Sequence, residues 1–375
     1  MINIGLCGYG TVGSGVANII NTNPYYKDKV SIKKILVHNI DKHKDIINLA
    51  TTNYLDIIND SNIDTVIECI GGTTLAYNII KESLLNKKNV VTANKAVLMN
   101  HLIELTNIAK VNNVALYFEA SVCGAINIID TLESINNSDK VESIEGIING
   151  STNFVLTKAI NGMPYKESLE LASKFGFLES DPTDDLDGLD ALRKLVILSS
   201  ISYHTSIDST KAYLSSIRNL SDDIINYAKE NNYKIKYIAS SKLIDNFVSL
   251  TIEPCLLKYN DSLYNVDNEL NSVSLKLKYA KEIVLTGYGA GSYPTASAIM
   301  LDINKIIRGN KYYFEFNNNY NTLGKVDKSR YLIDLNNIDE SLIENKINNL
   351  YITKEVEYKD IANYLKTCNS YVRIK

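Results

Sequence analysis

Residues 2–21 read INIGLCGYGTVGSGVANIIN, an apolar run, a glycine-rich turn and then a stretch with helical periodicity. Gly8, Gly10 and Gly13 stand in G-x-G-x-x-G spacing, with Thr11 and Val12 inside the turn. Between a strand and a helix, this spacing lets the backbone turn tightly and approach a pyrophosphate at the helix N-terminus. The alternation continues. SIKKILVH reads as a strand, and a helical segment leads to the apolar strand DTVIECIGG. LAYNIIKESLLNKK, NVVTANK, HLIELTNIAKVNN and VALYFEAS follow as helix, strand, helix and strand. Strands alternating with helices predict a parallel sheet covered on both faces, an α/β Rossmann-type domain over about residues 1–130.

Near residue 130 the pattern changes. Strand-like runs at 141–148, 233–238, 246–252 and 271–276 lie among helices at 130–136, 153–160, 165–175, 188–203 and 221–230. That order predicts an α+β domain over residues 131–310, whose last helix, 293–308, is free to return to the nucleotide domain. Residues 311–375 form a polar tail in which RYLIDL, DESLIENKI, NNLYITKEV, YKDIANYLKTC and SYVRIK read as β, α, β, α, β.

Composition narrows the classes. A net charge of −4 over 375 residues implies neither a nucleic-acid nor a membrane partner. No apolar run approaches the ~18 residues of a membrane span. The start carries no basic n-region and no cleavage pattern, so the expected location is the cytoplasm. Five cysteines, odd in number and without CxxC spacing, argue for reduced thiols rather than disulfides or zinc.

The cofactor reading extends to the second strand. An acid at its end would accept from the ribose 2′-hydroxyl of NAD. This strand ends Val37-His38-Asn39, with Lys42, His43 and Lys44 beyond, while Asp41 lies farther along. That favours NADP over NAD with His38 at the ribose, unless these cations simply form a solvated loop.

Between Glu179 and Asp190 stand six acidic residues within twelve positions, and Lys194 follows Asp190 by four. The helix after it, LVIL, is apolar all round and therefore buried. A lysine at that point is partly desolvated, and Asp190 one turn earlier keeps it charged. Spacing alone fits an ordinary i,i+4 ion pair equally well.

Six stretches, GLCGYGTVGSGV, VVTANKAVL, FEASVCGAINII, INGSTNFVL, FLESDPTDDLDGLDALRKLVIL and GYGAGSYPTASA, together resemble the homoserine dehydrogenase family, in the family's order and over residues 1 to about 305. The resemblance implies a Rossmann domain joined to an α+β substrate and dimerisation domain. It implies NAD(P)H-dependent reduction of aspartate 4-semialdehyde to homoserine by a homodimer, in threonine and methionine biosynthesis.

By resemblance, Lys194 is the proton donor, and Lys95 of TANK is its rival or polarises the carbonyl. Glu179 and Asp185 take the substrate ammonium, Asp190 orients the site, and Asn149 and Gly150 lie beside the substrate. Thr92, Asn94 and Lys95 line the nicotinamide, and Gly289 belongs to the second glycine loop. Asp181, Asp184 and Asp187 are read as acids that only complement a helix dipole. Glu119 and the loop after it resemble a site for Na+ or K+, with the backbone carbonyls of Val122, Gly124 and Ile126 as ligands. Here Asn127 stands where the family commonly has proline. The tail resembles a degenerate ACT domain short of one strand, whose exposed edge a neighbour must cover. Two rival functions are a semialdehyde dehydrogenase using Cys123 as nucleophile and a non-catalytic dinucleotide-binding redox sensor.

Overall fold

The structure is a computed structural model that describes residues 1–375. Two compact units divide the chain, Met1–Ser138 with Gly287–Asn317, and Asp139–Thr286 with Asn318–Lys375.

The first unit contains β1 (Ile2–Cys7), α1 (Thr11–Thr22), β2 (Val30–Leu36), β3 (Ala50–Thr51), α2 (Leu55–Ile58), β4 (Thr65–Glu68), α3 (Thr74–Leu85), β5 (Asn89–Thr92), α4 (Lys95–Asn112), β6 (Leu116–Tyr117) and α5 (Ile128–Ile135). Its strands pair in parallel in the order β3-β2-β1-β4-β5-β6, the doubly wound order of a dinucleotide fold. The helical segment expected between β2 and β4 is reduced to the single turn of α2. Short 3-10 turns at Ile40–Lys42 and Lys44–Ile46 precede it, and Asn39 caps the first by accepting from the Asp41 amide.

The second unit holds β7 (Val141–Ile147), α6 (Gly150–Ile160), α7 (Tyr165–Lys174), α8 (Thr183–Leu186), α9 (Leu189–Tyr203), β8 (Tyr213–Leu214), α10 (Asp222–Glu230), β9 (Lys234–Ile244), β10 (Phe247–Leu257), β11 (Leu270–Leu277) and β12 (Lys281–Tyr288). β9 and β10 form a long antiparallel hairpin closed at Ile244 and Phe247. Asp245 takes the left-handed conformation in that turn, at φ 51°. The chain then returns to the first unit through α11 (Ser292–Ile307). Ala296, Ile299 and Ile303 pack there with Val16, Ala17 and Ile20 of α1.

The tail adds β13 (Asn321–Leu323), β14 (Arg330–Asp334), β15 (Ile343–Ile347), β16 (Leu350–Thr353), α12 (Tyr358–Thr367) and β17 (Ser370–Ile374). Here the expected β-α-β-α-β order is corrected. Residues expected to form the first helix make a 3-10 turn, Glu340–Leu342, and then β15. From Arg330 onward the tail keeps four strands and lacks a helix, not a strand. It is also no appendage. β17 pairs with both β10 and β14, so the tail continues the large sheet in the order β12-β11-β7-β9-β10-β17-β14-β16-β15.

A buried ionic cluster fastens this junction. Glu253 on β10, only 1% exposed, pairs with Lys325 and lies 3.1 Å from the Arg373 guanidinium of β17. The Lys325 ammonium also sits 4.8 Å from the centre of the Tyr331 ring of β14. Replacing Glu253 by alanine strands two cations in the sheet. The expected loss is about 3–5 kcal/mol, read by urea unfolding of the whole chain. A loss below about 1 kcal/mol would show that the cluster does not hold the tail.

Candidate active site

In the first unit the three glycines of the opening turn have different physical reasons. Gly8 sits at φ +104°, and a Cβ there would come within 2.8 Å of the Cys69 carbonyl oxygen. A Cβ on Gly13 would meet the Gly8 carbonyl oxygen at 2.0 Å, so α1 can pack against the turn only through glycine. At Gly10 a Cβ meets nothing within 4 Å, which leaves that side of the backbone open. No acid and no side-chain cap occupies the first turn of α1, which includes Thr11 and Val12. Its amides and positive dipole end therefore suit a pyrophosphate. The structure thus fits a dinucleotide at this loop.

Neighbouring strand ends complete the nucleotide side. His38 is exposed just past β2. The Tyr9 hydroxyl donates to Asp45 at 3.0 Å, which ties the 40–46 segment to the glycine turn. Thr92 ends β5, and Asn94 caps α4 by accepting from the Val97 amide at 3.1 Å. Lys95 is the first residue of α4, where the dipole disfavours a cation. Sequence reading overlooked the buried Glu68. It accepts from the Thr92 hydroxyl at 2.5 Å and from the Ile70 amide at 3.0 Å, and burial holds its carboxyl above the usual range. The available signal was an acid inside the apolar strand DTVIECIGG.

Residues 119–126 form a loop shaped from beneath. Both Glu119 oxygens accept amides of α5, from Ile129 at 2.8 Å and Asp130 at 2.7 Å. Burial pushes the Glu119 carboxyl up to about 7. Cys123 and Gly124 take left-handed conformations, and the Ile126 carbonyl accepts from Ile128 at 2.8 Å. A Cβ on Gly124 would come within 2.7 Å of the Gly289 carbonyl, so the two glycine-bearing loops touch. Cys123 is 1% exposed, which does not suit an attacking thiolate.

In the second unit the acid-rich stretch resolves into residues facing inward and residues held from outside. Asn149 caps α6 by accepting from the Thr152 amide at 2.9 Å. Its amide nitrogen donates to Asp185 at 2.7 Å and to Asp190 at 2.9 Å. Lys194, one turn after Asp190 and like it 8% exposed, donates to Asp190 at 2.8 Å and to the Ile148 carbonyl at 2.7 Å. Asn149, Asp185, Asp190 and Lys194 thus form one array. Gly150 opens α6 because a Cβ there would meet the Glu269 carbonyl at 2.7 Å. Glu179 lies exposed on the loop before α8, outside the array's hydrogen bonds.

The acids read as dipole partners have other tasks. Asp184 takes both guanidinium nitrogens of Arg193, Asp187 takes Arg218, and Asp181 accepts from Thr183. Neither arginine was singled out in the sequence, and no local spacing joins Arg218 to Asp187.

Burial first, and then the charge of Asp190, raises the Asp185 carboxyl despite the Asn149 donor. A third carboxylate at Asn149→Asp would titrate in the same direction. It would hold its proton more tightly folded than unfolded, so stability would persist in acid and fall as pH rises through the folded value. The melting temperature of Asn149→Asp should trail wild type at about pH 8, and the gap should close toward about pH 5. A gap independent of pH would mean that these carboxylates do not interact.

Comparison with known proteins agrees with this architecture. Residues 8–119 match the family model described as homoserine dehydrogenase, NAD binding domain, and residues 128–304 match the homoserine dehydrogenase model. Homoserine dehydrogenase of Bacillus subtilis is 38% identical over 319 residues, covering 82% of this chain and 73% of that protein. That of Helicobacter pylori is 36% identical, covering 82% and 74%. The crystal structure of a homoserine dehydrogenase from Thiobacillus denitrificans superposes with a TM-score of 0.90 at 27% identity, over 100% of this chain and 98% of that one. The chain belongs to the homoserine dehydrogenase family, and it is an NAD(P)-dependent oxidoreductase that interconverts aspartate 4-semialdehyde and homoserine.

Proposed function

We propose that Lys194 is the proton donor of this reaction and that Asp185, with Glu179, takes the substrate ammonium. The observation that carries the reading is the buried array of Lys194, Asp190, Asn149 and Asp185. The nicotinamide dinucleotide supplies or takes the hydride when bound. As the carbonyl carbon is reduced, its oxygen gathers negative charge, and Lys194 delivers a proton there. Asp190 keeps the ammonium charged and aimed, and the Ile148 carbonyl fixes a second direction. Asp185 and Glu179 accept from the substrate ammonium through charge-assisted hydrogen bonds, each contributing roughly 1.5–3 kcal/mol. Asn149 holds Asp185 and Asp190 together, and Gly150 lies beside the substrate.

On the nucleotide side, Gly8, Gly10, Thr11, Val12 and Gly13 cradle the pyrophosphate. Thr92, Asn94 and Lys95 line the nicotinamide with Gly289, and Lys95 also polarises the carbonyl. NADP is favoured over NAD, because no acid ends β2 while His38, Lys42, His43 and Lys44 follow it. A monovalent cation, Na+ or K+, would be held by the backbone carbonyls of Val122, Gly124 and Ile126. Glu119 shapes that loop rather than ligating, since both its oxygens already serve α5. The tail is an ACT-like module reduced to four strands and one helix. No helix is long and apolar enough to cross a membrane. We read the enzyme as a cytoplasmic homodimer. Free thiols at all five cysteines support the compartment, and the exposed apolar positions Val284 and Tyr288 on the unpaired β12 edge support the pairing.

Lys194→Ala should lower turnover by ~10²–10⁴-fold with NADPH binding intact, measured by steady-state kinetics and NADPH titration. Turnover within a few-fold of wild type would move the proton donor to Lys95 or water. His38→Asp should shift the ratio of KM values toward NADH, because a carboxylate repels the 2′-phosphate and accepts from the 2′-hydroxyl. An unmoved ratio would place the phosphate contact elsewhere.

A further inference from the structure

α8, which carries Asp185, is a single turn, too short to hold itself in place. Its position is imposed by its neighbours. On one side Arg193 donates to both Asp184 oxygens, at 2.7 and 2.9 Å. On the other, Arg218 Nε donates to Asp187 Oδ1 at 2.8 Å, and Nη2 donates to Asp187 Oδ2 at 3.1 Å and to the Thr183 hydroxyl at 2.6 Å. One guanidinium thus bridges the first residue of the turn and the residue just after it. The segment bearing Arg218 adds two backbone-directed contacts. The Ile217 amide donates to the Leu186 carbonyl at 3.0 Å, and the Ser216 hydroxyl reaches the same carbonyl at 3.1 Å.

That segment is anchored in its turn. Its Ser215 carbonyl accepts from Tyr237 at 2.7 Å, its Ile217 carbonyl accepts from Tyr165, and the Ile217 side chain is buried. Behind the clamp lies a cleft of about 650 Å³, lined by Asp187 and Arg218 together with Tyr371 of the tail. With open space there instead of packed core, directed hydrogen bonds hold the turn in register.

We propose that Arg218 is a positioning residue for the amino-acid substrate. It fixes Thr183 to Asp187 so that the Asp185 carboxylate stays on Asn149 beside Asp190. It touches neither substrate nor cofactor. The inference rests on the reading that Asp185 receives the substrate ammonium. An arginine is required because its planar fork spans two acceptors at fixed angles, which an ammonium cannot do.

The test is steady-state kinetics of the full chain with homoserine and NADP+, with the melting temperature recorded for each variant. Arg218→Met should raise the homoserine KM about tenfold, leave kcat within about threefold and leave the NADP+ KM unchanged, because only the ammonium acceptor is displaced. Arg218→Lys should fall between the two. Asp187→Asn should act in the same direction, and the double variant should be no worse than Arg218→Met. Asp185→Asn separates the two readings. If it leaves the homoserine KM unchanged, the substrate assignment fails and the clamp fails with it. If it raises that KM while Arg218→Met does not, the clamp alone is overturned. Equal rises in both KM values, or a fall in kcat that tracks them, would show general loosening and also overturn it. Should Arg218→Met not fold, Thr183→Val removes one acceptor and keeps the Asp187 pair. A smaller rise in the homoserine KM supports the clamp, and no rise overturns it.

Discussion

The burial of one ammonium organises the second unit. Lys194 is buried on a largely apolar helix, and Asp190 one turn away and a backbone carbonyl compensate its charge. Asp190 in turn stands near Asp185, and two carboxylates at that depth repel. Asn149 relieves this by donating to both from one amide nitrogen while its oxygen caps α6. A single asparagine therefore links the start of α6, the turn of α8 and the start of α9. Asp184 and Asp187 are neutralised from outside by Arg193 and Arg218, Asp181 accepts from Thr183, and Glu179 stays exposed. Four of the six acids thus have a charged or amide counterpart, ammonium and amide within and guanidinium without, while the other two lie toward solvent.

The nucleotide loop solves a different problem with the opposite means. Where the acid-rich stretch is held by side chains, the turn at Gly8–Gly13 depends on their absence. Gly8 and Gly13 exclude a Cβ because neighbouring backbone is already there, whereas Gly10 excludes nothing and leaves an approach to the amides of α1. The second glycine loop follows the same logic, since Gly124 and Gly289 meet backbone to backbone. Buried carboxylates beneath both regions, Glu68 and Glu119, serve amides and a hydroxyl rather than solvent. They fix loop shape from behind, which explains ionisable groups in otherwise apolar strands and turns.

Much of this was legible in the sequence where one periodicity spoke alone. The alternation of β1, α1, β4, α3, β5 and α4 was plain, as was the apolar run of α9. Ambiguity arose where two periods coincide. In IENKI, Ile343 and Ile347 are four apart, which suits a helix face and equally the same face of a strand. Sheet pairing with β16 decided for the strand, and pairing is not a local property. β12 was missed beside a glycine-rich run, although Ile283 and Leu285 alternate with exposed neighbours. At the candidate site, Asp190 and Lys194 showed as an i,i+4 pair, but Asn149 as their organiser did not. NGST carries no local sign of which acids the Asn149 amide nitrogen will bind. Arg218 lay further out of reach, because its partners depend on a loop folded back across thirty-one residues.

The tail shows what an incomplete module requires of the rest of the fold. Read alone, it is a small module with a missing piece, and an unpaired edge calls for a neighbour. In the fold that neighbour is the unit's own sheet. β17 runs between β10 and β14, and the buried carboxylate of Glu253 holds cations from the segment before β14 and from β17 itself. A module that could leave would expose polar backbone along β10 and strand those charges in an apolar interior. Moreover, Ser370 accepts from the Ser221 amide and Tyr371 meets Tyr213, and Ser221 and Tyr213 flank the segment that carries Arg218. The tail therefore belongs to the scaffold beneath the acid-rich turn. Its strands are retained because the catalytic unit would lose both an edge and a brace without them.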